Sequence, residues 1–229
     1  VLLTNDGLHR SLRLNVSNIH SLQNELIGKV IVLIDITESK RREEEILYLS
    51  YHDVLTGLYN RTFFEEEIIR LNTKRQLPLS IIMGDVNGLK LTNDVFGHIA
   101  GDELLRKIAD ILKIAVRQED IIARWGGDEF IILLPNTDAE GAQSLMDRIN
   151  HQFLIDENQE QMQGFSPSIS LGYGVKNDVD EDIYEILKVA ESNMYKRKML
   201  SKESIYSGVI TSMKTALFEK SNETEDHTN

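Results

Sequence analysis

Apolar residues alternate with polar ones through Ser11-Leu12-Arg13-Leu14-Asn15-Val16, a strand pattern with one face on a core and one in water. A polar stretch at Gln23-Asn24-Glu25 follows, and Lys29 to Ile36, rich in Val and Ile, predicts a buried strand. Asp35 or Thr37 is placed to cap the next element, because a short side-chain oxygen accepts a free N–H of a first helical turn. Glu38 to Leu47 is a strong helix former with few apolar positions, which predicts an exposed stalk. From Asn60 to about Gln76, Phe63, Phe64, Glu67, Ile68 and Leu71 fall at helical spacing, and Pro78 closes the segment. Leu79 to Val86 predicts a buried strand. From Gly101, the residues Leu104, Leu105, Ile108, Ala109, Ile111, Leu112, Ala115 and Val116 form one broad helical face. Ile121–Trp125 and Phe130–Leu134 read as two strands joined through Gly126-Gly127. A helix over Ala139–Phe153, a strand over Ser168–Val175, a helix over Glu181–Lys198 and a last strand over Ser204–Ile210 complete the pattern. Helices and hairpin strands mix without strict alternation, so the fold class is α+β with a largely antiparallel sheet.

Composition narrows the function. The chain has 229 residues, 37 Asp plus Glu against 25 Lys plus Arg, a net charge of −12 and no Cys. That length buries a core without staples, and the missing Cys excludes disulfides and thiolate metal sites. The acidic balance argues against a nucleic-acid polymer or a membrane surface as partner, since both demand a basic face. A small anionic substrate stays open, because Lys, backbone N–H groups or a metal can meet it locally. The longest apolar run, Val30 to Ile34, is far short of a membrane span. The first residue is Val rather than Met, so the expectation is a fragment of a longer protein.

Three clusters carry candidate chemistry. Asp85-Val86-Asn87-Gly88-Leu89-Lys90 ends a buried strand; a carboxylate there suits a hard cation, Gly88 opens backbone N–H groups to phosphate, and Lys90 adds charge. A strand running into an ordinary turn has the same pattern. Arg124-Trp125-Gly126-Gly127-Asp128-Glu129-Phe130 sets two acids at a tight hairpin, where carboxylates repel unless a cation is near. If this hairpin neighbours the Asp85 strand, Asp85, Asp128 and Glu129 form an acidic pocket for one or two metal ions; otherwise it is a charged surface tip. In the third cluster, Asn93-Asp94, Gly97-His98 and Gly101-Asp102, a carboxylate and an amide could read the N–H edge of guanine. Helix N-capping is the plainer role for Asp102.

The second cluster contains Gly-Gly-Asp-Glu-Phe, and here the chain resembles the GGDEF family of diguanylate cyclases. Further family blocks stand in order: Asp53-Val54-Leu55-Thr56-Gly57-Leu58-Tyr59-Asn60-Arg61, Asp85 to Lys90, Asn93-Asp94, Gly97-His98, Gly101-Asp102, Ser168-Ile169-Ser170-Leu171-Gly172, and Ala190 to Lys198. The resemblance covers roughly residues 50–205. It implies a nucleotidyl-cyclase or polymerase-palm type of fold, a central, mostly antiparallel sheet wrapped by helices, with an N-terminal β-segment and stalk helix. It implies condensation of two GTP into cyclic di-GMP with release of two pyrophosphates, in a homodimer whose domains face each other. By matching position, Asp85, the Val86 carbonyl, Asp128 and Glu129 hold Mg²⁺ or Mn²⁺. Asp128, Glu129 and Lys90 are the catalytic set. Leu89, Lys90, Asn93, Asp102, Lys198 and Lys202 bind substrate, with Asn93 and Asp102 on guanine. Arg117 and Asp120 form an inhibitory site for the cyclic di-GMP product, although as a bare pattern they are a common helix end with a following turn. Asn87 stands where many members carry Asp, which removes a carboxylate from a second metal site. Lys202 lies where the family often has an Arg. A catalytically weak or inactive module that binds GTP or cyclic di-GMP as a receptor is the alternative.

Gly28 to Leu47 resembles the last strand and exit helix of a PAS sensor domain. The expected organisation is a sensor fragment over 1–37, a signalling stalk over 38–50, the cyclase domain over 51–210 and a disordered, acidic tail over 211–229. The expected location is cytoplasmic, as the cytoplasmic portion of a bacterial protein, without membrane contact from this chain.

Overall fold

The computed structural model describes residues 2–3, 9–159 and 167–200. The expected strand at Ser204–Ile210, the tail and Lys202 lie outside them. Backbone proximity divides the chain into two units, residues 1–50 and 51–229.

In the first unit, β1 (Leu2–Leu3) pairs with β2 (His9–Arg10), and β3 (Leu12–His20) pairs antiparallel with β4 (Leu26–Asp35). The strands are as expected, but their burial is not. Register sets Leu14 against Leu33 and Val16 against Ile31 on one face, and all four are more than half exposed. A two-stranded ribbon has no second layer, so alternation alone cannot cover either face. Helix α1 (Thr37–Tyr51) follows, its start fixed by Asp35, whose carboxylate accepts from the Thr37 N–H at 2.9 Å and hydroxyl at 2.6 Å. The helix buries no residue.

The second unit is a five-stranded sheet in the order β5-β7-β8-β6-β9. Its strands are β5 (Tyr59–Asn60), β6 (Leu79–Val86), β7 (Ile121–Arg124), β8 (Glu129–Leu134) and β9 (Ile169–Lys176). All its pairs are antiparallel except β5 with β7. Strand β6 is buried at every position because it is paired on both edges and covered on both faces. On one face Ile82, Val86, Phe130, Ile132 and Leu171 pack with α4 (His98–Ala115) and α5 (Ala139–Gln159). On the other, Leu79, Ile81, Met83, Ile131 and Leu133 pack with α2 (Arg61–Leu71) and with α6, residues 183–200.

Three boundaries differ from the sequence pattern. Helix α2 stops at Leu71, before a 3₁₀ turn at Lys74–Gln76, because Asn72 turns the chain well ahead of Pro78. An eight-residue helix, α3 (Leu89–Phe96), follows Gly88, whose left-handed φ of 74° starts it. Helix α4 begins at His98 after Gly97, so Asp102 lies inside it and N-capping is not its role.

Helix α6 sits on β9 with its backbone against two glycines. A Cβ on Gly172 would overlap the Met194 amide nitrogen, and one on Gly174 the Ile186 carbonyl. The Asn193 amide donates to the Tyr173 carbonyl at 3.0 Å and ties helix to strand. Gly172→Ala is therefore expected to cost about 3 kcal/mol or more, because backbone cannot move aside as a side chain does. Gly127→Ala, which meets open space, should change stability by less than about 0.5 kcal/mol. Denaturant melts of the two variants check this contrast.

Candidate functional site

The site starts from the register of β6. Asp85 pairs with Glu129 of β8 on one side and with Ser170 of β9 on the other, so the three side chains share the face on which α6 lies. Asp85 is 7% exposed, deep for a carboxylate. Its partner is Lys198 of α6, whose ammonium is ion-paired with the Asp85 carboxylate. The hairpin is closed by the Trp125 N–H donating to the Glu129 carbonyl at 2.8 Å, and the Val86 N–H donates to the Asp128 carbonyl at 2.9 Å. Asp128 is thereby held beside the end of β6.

Burial pushes the Glu129 carboxyl up, and Asp128, Asp85 and Glu191 add to the push, while Lys198 opposes it. Among the described residues no three acidic or histidine side chains stand close enough for a ready-made metal cage. The pocket expected of Asp85, Asp128 and Glu129 is thus one buried carboxylate with two half-buried acids nearby, balanced by an ammonium. Its donors still fit a hard divalent cation: every one is oxygen, and mutual repulsion leaves net negative charge for a cation to relieve. Asp85, Glu129, Asp128 and the Val86 carbonyl are the groups able to hold it.

Asn87 is used otherwise. Its amide donates to the Ser168 hydroxyl at 3.2 Å and accepts from the Ser170 hydroxyl at 2.8 Å, and its N–H bonds the Ser168 carbonyl at 2.9 Å. These bonds fix the end of β6 to β9.

Next to it, α3 and α4 pack as a helical hairpin. Gly101 lets the two helices close up, since a Cβ there would push the Asn93 side chain aside and come within 3.3 Å of Leu89. Leu89, Asn93 and Asp102 are thereby gathered on one short segment, each half-buried, with Lys90 exposed in the first turn of α3.

At the other end of β7, the Arg117 N–H donates to the Asp120 carboxylate at 2.9 Å. The pair lines a cleft of about 340 Å³, which Arg148 of α5 also lines, a residue the sequence pattern did not single out. A neighbouring cleft of about 620 Å³ adds Arg70, Tyr59 and Phe63. Burial pushes the Asp120 carboxyl up against the pull of Arg117 and Arg148.

The signature hairpin also has an anchor. Arg124 donates from one guanidinium nitrogen to both Asp53 carboxylate oxygens at 3.2 Å and from the other to the Gly127 carbonyl at 2.7 Å. Asp53 in turn accepts from the Thr56 N–H at 2.9 Å and hydroxyl at 2.7 Å. Arg61 lies over the Trp125 ring at 4.3 Å, on the same hairpin.

A family model described as diguanylate cyclase, GGDEF domain, matches residues 50–204. The chain belongs to the GGDEF diguanylate cyclase family. It is 32% identical over 205 residues to the probable diguanylate cyclase DgcE of Escherichia coli K12, a match covering 86% of this chain and 18% of DgcE. It is 33% identical over 182 residues to diguanylate cyclase DgcM of the same organism, covering 76% of this chain and 43% of DgcM. The chain thus spans less than half the length of either relative. The crystal structure of the coiled coil and GGDEF domain of DgcB from Caulobacter crescentus, in complex with c-di-GMP, shares the fold. The TM-score is 0.63 at 20% identity, over 74% of this chain and 89% of that one.

The Asp53–Arg124 contact carries a pH signature. Partial burial pushes the Asp53 carboxyl up, but the Thr56 bonds and Arg124 outweigh it and hold it below its ordinary 3.8. A group held low stabilises the fold above its unfolded value, and that contribution is lost as pH falls through the folded one. Asp53→Asn should therefore cost about 1–2 kcal/mol at pH 7, allowing for solvent screening of a partly exposed pair. The gap to the wild type should close in acid below the ordinary Asp value. Melts of both proteins from pH 7 to 3 measure it.

Proposed function

We propose that this domain is an active diguanylate cyclase that condenses two GTP into cyclic di-GMP and two pyrophosphates, working as a signal-regulated homodimer. The observation that carries the reading is the β6–β8 register, with buried Asp85 directly across from Glu129 of an intact Gly-Gly-Asp-Glu-Phe hairpin. Each protomer holds one GTP. Asn93 and Asp102 read the guanine edge, an amide and a carboxylate matched to its N–H donors and O6. Lys90 and Lys198 meet the phosphates as point charges, with Leu89 packing beneath and Lys202 adding a further contact.

A bound Mg²⁺ or Mn²⁺, held by Asp85, Asp128, Glu129 and the Val86 carbonyl, supplies charge neutralisation for the triphosphate. The 3′-hydroxyl of one GTP attacks the α-phosphorus of the partner's GTP. The new O3′–P bond forms as the bond from the α-phosphorus to its bridging oxygen breaks. Pyrophosphate leaves, and the hydroxyl proton passes to Glu129. Burial first, and then the charges of Asp128 and Asp85, push the Glu129 carboxyl up before a cation binds, and its carboxylate is the oxygen base placed to accept the proton. A second round on the other pair of atoms closes the ring.

Arg117, Asp120 and Arg148 form the product site, with guanidinium forks suited to O6 and N7 of guanine. Residues 1–37 close a PAS-like sensor, and α1 carries its state to the domain. The antiparallel ribbon running through the Asp35–Thr37 cap into α1 supports this. A GTP substrate places the domain in the cytoplasm; among the described residues no helix is long and apolar enough to cross a membrane.

Incubation of the purified dimer with GTP and Mg²⁺ should yield cyclic di-GMP by chromatography, and chelation of the metal should stop it. No product from a protein shown to be dimeric would overturn the reading. Asp128→Ala should lower turnover by roughly 100-fold or more with an unchanged melt. Arg117→Ala should leave turnover intact and raise the product concentration needed for half-inhibition; unchanged inhibition would remove Arg117 from the product site.

A further inference from the structure

Helix α6 presents Ala190, Met194 and Lys198 at intervals of four, so they lie along one face. Ala190 and Met194 are buried against the sheet, on the side where Gly172 and Gly174 admit the helix backbone. The same stripe carries Lys198 to the end of β6, where its ammonium pairs with Asp85. The two side chains are 26% and 9% exposed, so this is no solvent-screened surface contact.

Resting on the reading of this pocket as a metal and GTP site, we propose that Lys198 and a divalent cation compete for the Asp85 carboxylate. Lys198 balances the pocket's charge until a nucleotide's phosphates draw the ammonium away. The argument is one of charge and reach. A buried carboxylate beside two further acids is costly without a cation. Lysine supplies one on a flexible four-carbon stem, a compact charge able to swing between a carboxylate and a phosphate without moving the helix. A metal ion arriving alone displaces an ion pair already made. Arriving with GTP, it finds the ammonium a new anionic partner. Lys198 thus couples metal entry to nucleotide entry and keeps the empty site from holding a cation tightly.

Titration of the nucleotide-free protein with Mn²⁺, read by electron paramagnetic resonance, tests this without any turnover. Lys198→Met should bind Mn²⁺ about tenfold more tightly than the wild type, because the competing charge is gone. Lys198→Gln, which keeps a hydrogen-bond donor for Asp85 without the charge, should shift the same way. Lys198→Arg, which keeps the charge, should stay within about twofold of the wild type. A merely structural role for Lys198 predicts weaker metal binding on its loss, the opposite direction. Unchanged, weaker or undetectable Mn²⁺ binding in both uncharged variants would overturn the competition. Failure of the cyclase reading is seen separately, as a wild-type dimer that makes no cyclic di-GMP while the Mn²⁺ series keeps its order.

Discussion

Strand β6 is pinned by ladders on both edges and by apolar side chains on both faces, and everything at the site inherits its register. Side chains along a strand alternate, so a slip of one residue would exchange the two faces. Asp85 would then turn toward α4, and Gly84 would occupy the face beneath α6. The core resists that slip. Ile82 and Val86 belong to one apolar cluster and Ile81 and Met83 to the other, and Gly84 is closely packed, with Ile169 placed 2.7 Å from where its Cβ would stand. Core packing thereby sets the position of a carboxylate to within a side-chain rotamer.

Strand β7 gives the same economy on a smaller scale. Asp120 precedes its first residue and Arg124 is its last. Four extended residues span about 13 Å, so the guanidinium-rich cleft and the acidic hairpin are the two ends of one short rod. Arg124 fastens the far end to Asp53 and to the Gly127 carbonyl, and Lys113 of α4 donates to the Thr56 carbonyl at 3.0 Å beneath the same turn. Both ends mix the signs. At one, carboxylates crowd around an ammonium; at the other, Arg117 and Arg148 line the cleft together with Asp120 and Asp138. A net charge of −12 conceals both, because the sum over the chain says nothing of where either sign is buried.

Much of this was legible in the sequence, and the misses share physical causes. Leu79–Val86 is the β6 span the apolar run predicts, and β7, β8 and α4 follow from strong patterns of the same kind. Composition cannot show register: that Asp85 faces Glu129 depends on how β6 pairs with β8 of the following hairpin, a long-range fact. Helix α3 was missed because Asn93, Asp94 and Gly88 read locally as turn residues, while its stability comes from packing on α4. The exposed ribbon shows the converse, since alternation records a face fit for burial and not the presence of a layer to bury it. Arg148 and the Lys198–Asp85 pair arise from helices brought over the sheet by tertiary packing, and nothing in their local spacing announces them.

The glycines of β9 show why structural and chemical roles cannot be separated in this domain. Gly172 and Gly174 carry no functional group, yet their missing side chains set how near α6 lies to the sheet. That distance decides whether a lysine at residue 198 reaches the end of β6 or stops in solvent. A methyl group added there would lift the helix, and the ammonium would retreat from Asp85 although every polar residue of the site remained. The loss would look chemical, as an altered balance among Asp85, Glu129 and their counter-ion, while its cause would be steric. The pocket's electrostatics are therefore a product of backbone approach, and the unreactive Gly172, which faces the backbone of α6, belongs to the site as firmly as the carboxylates do.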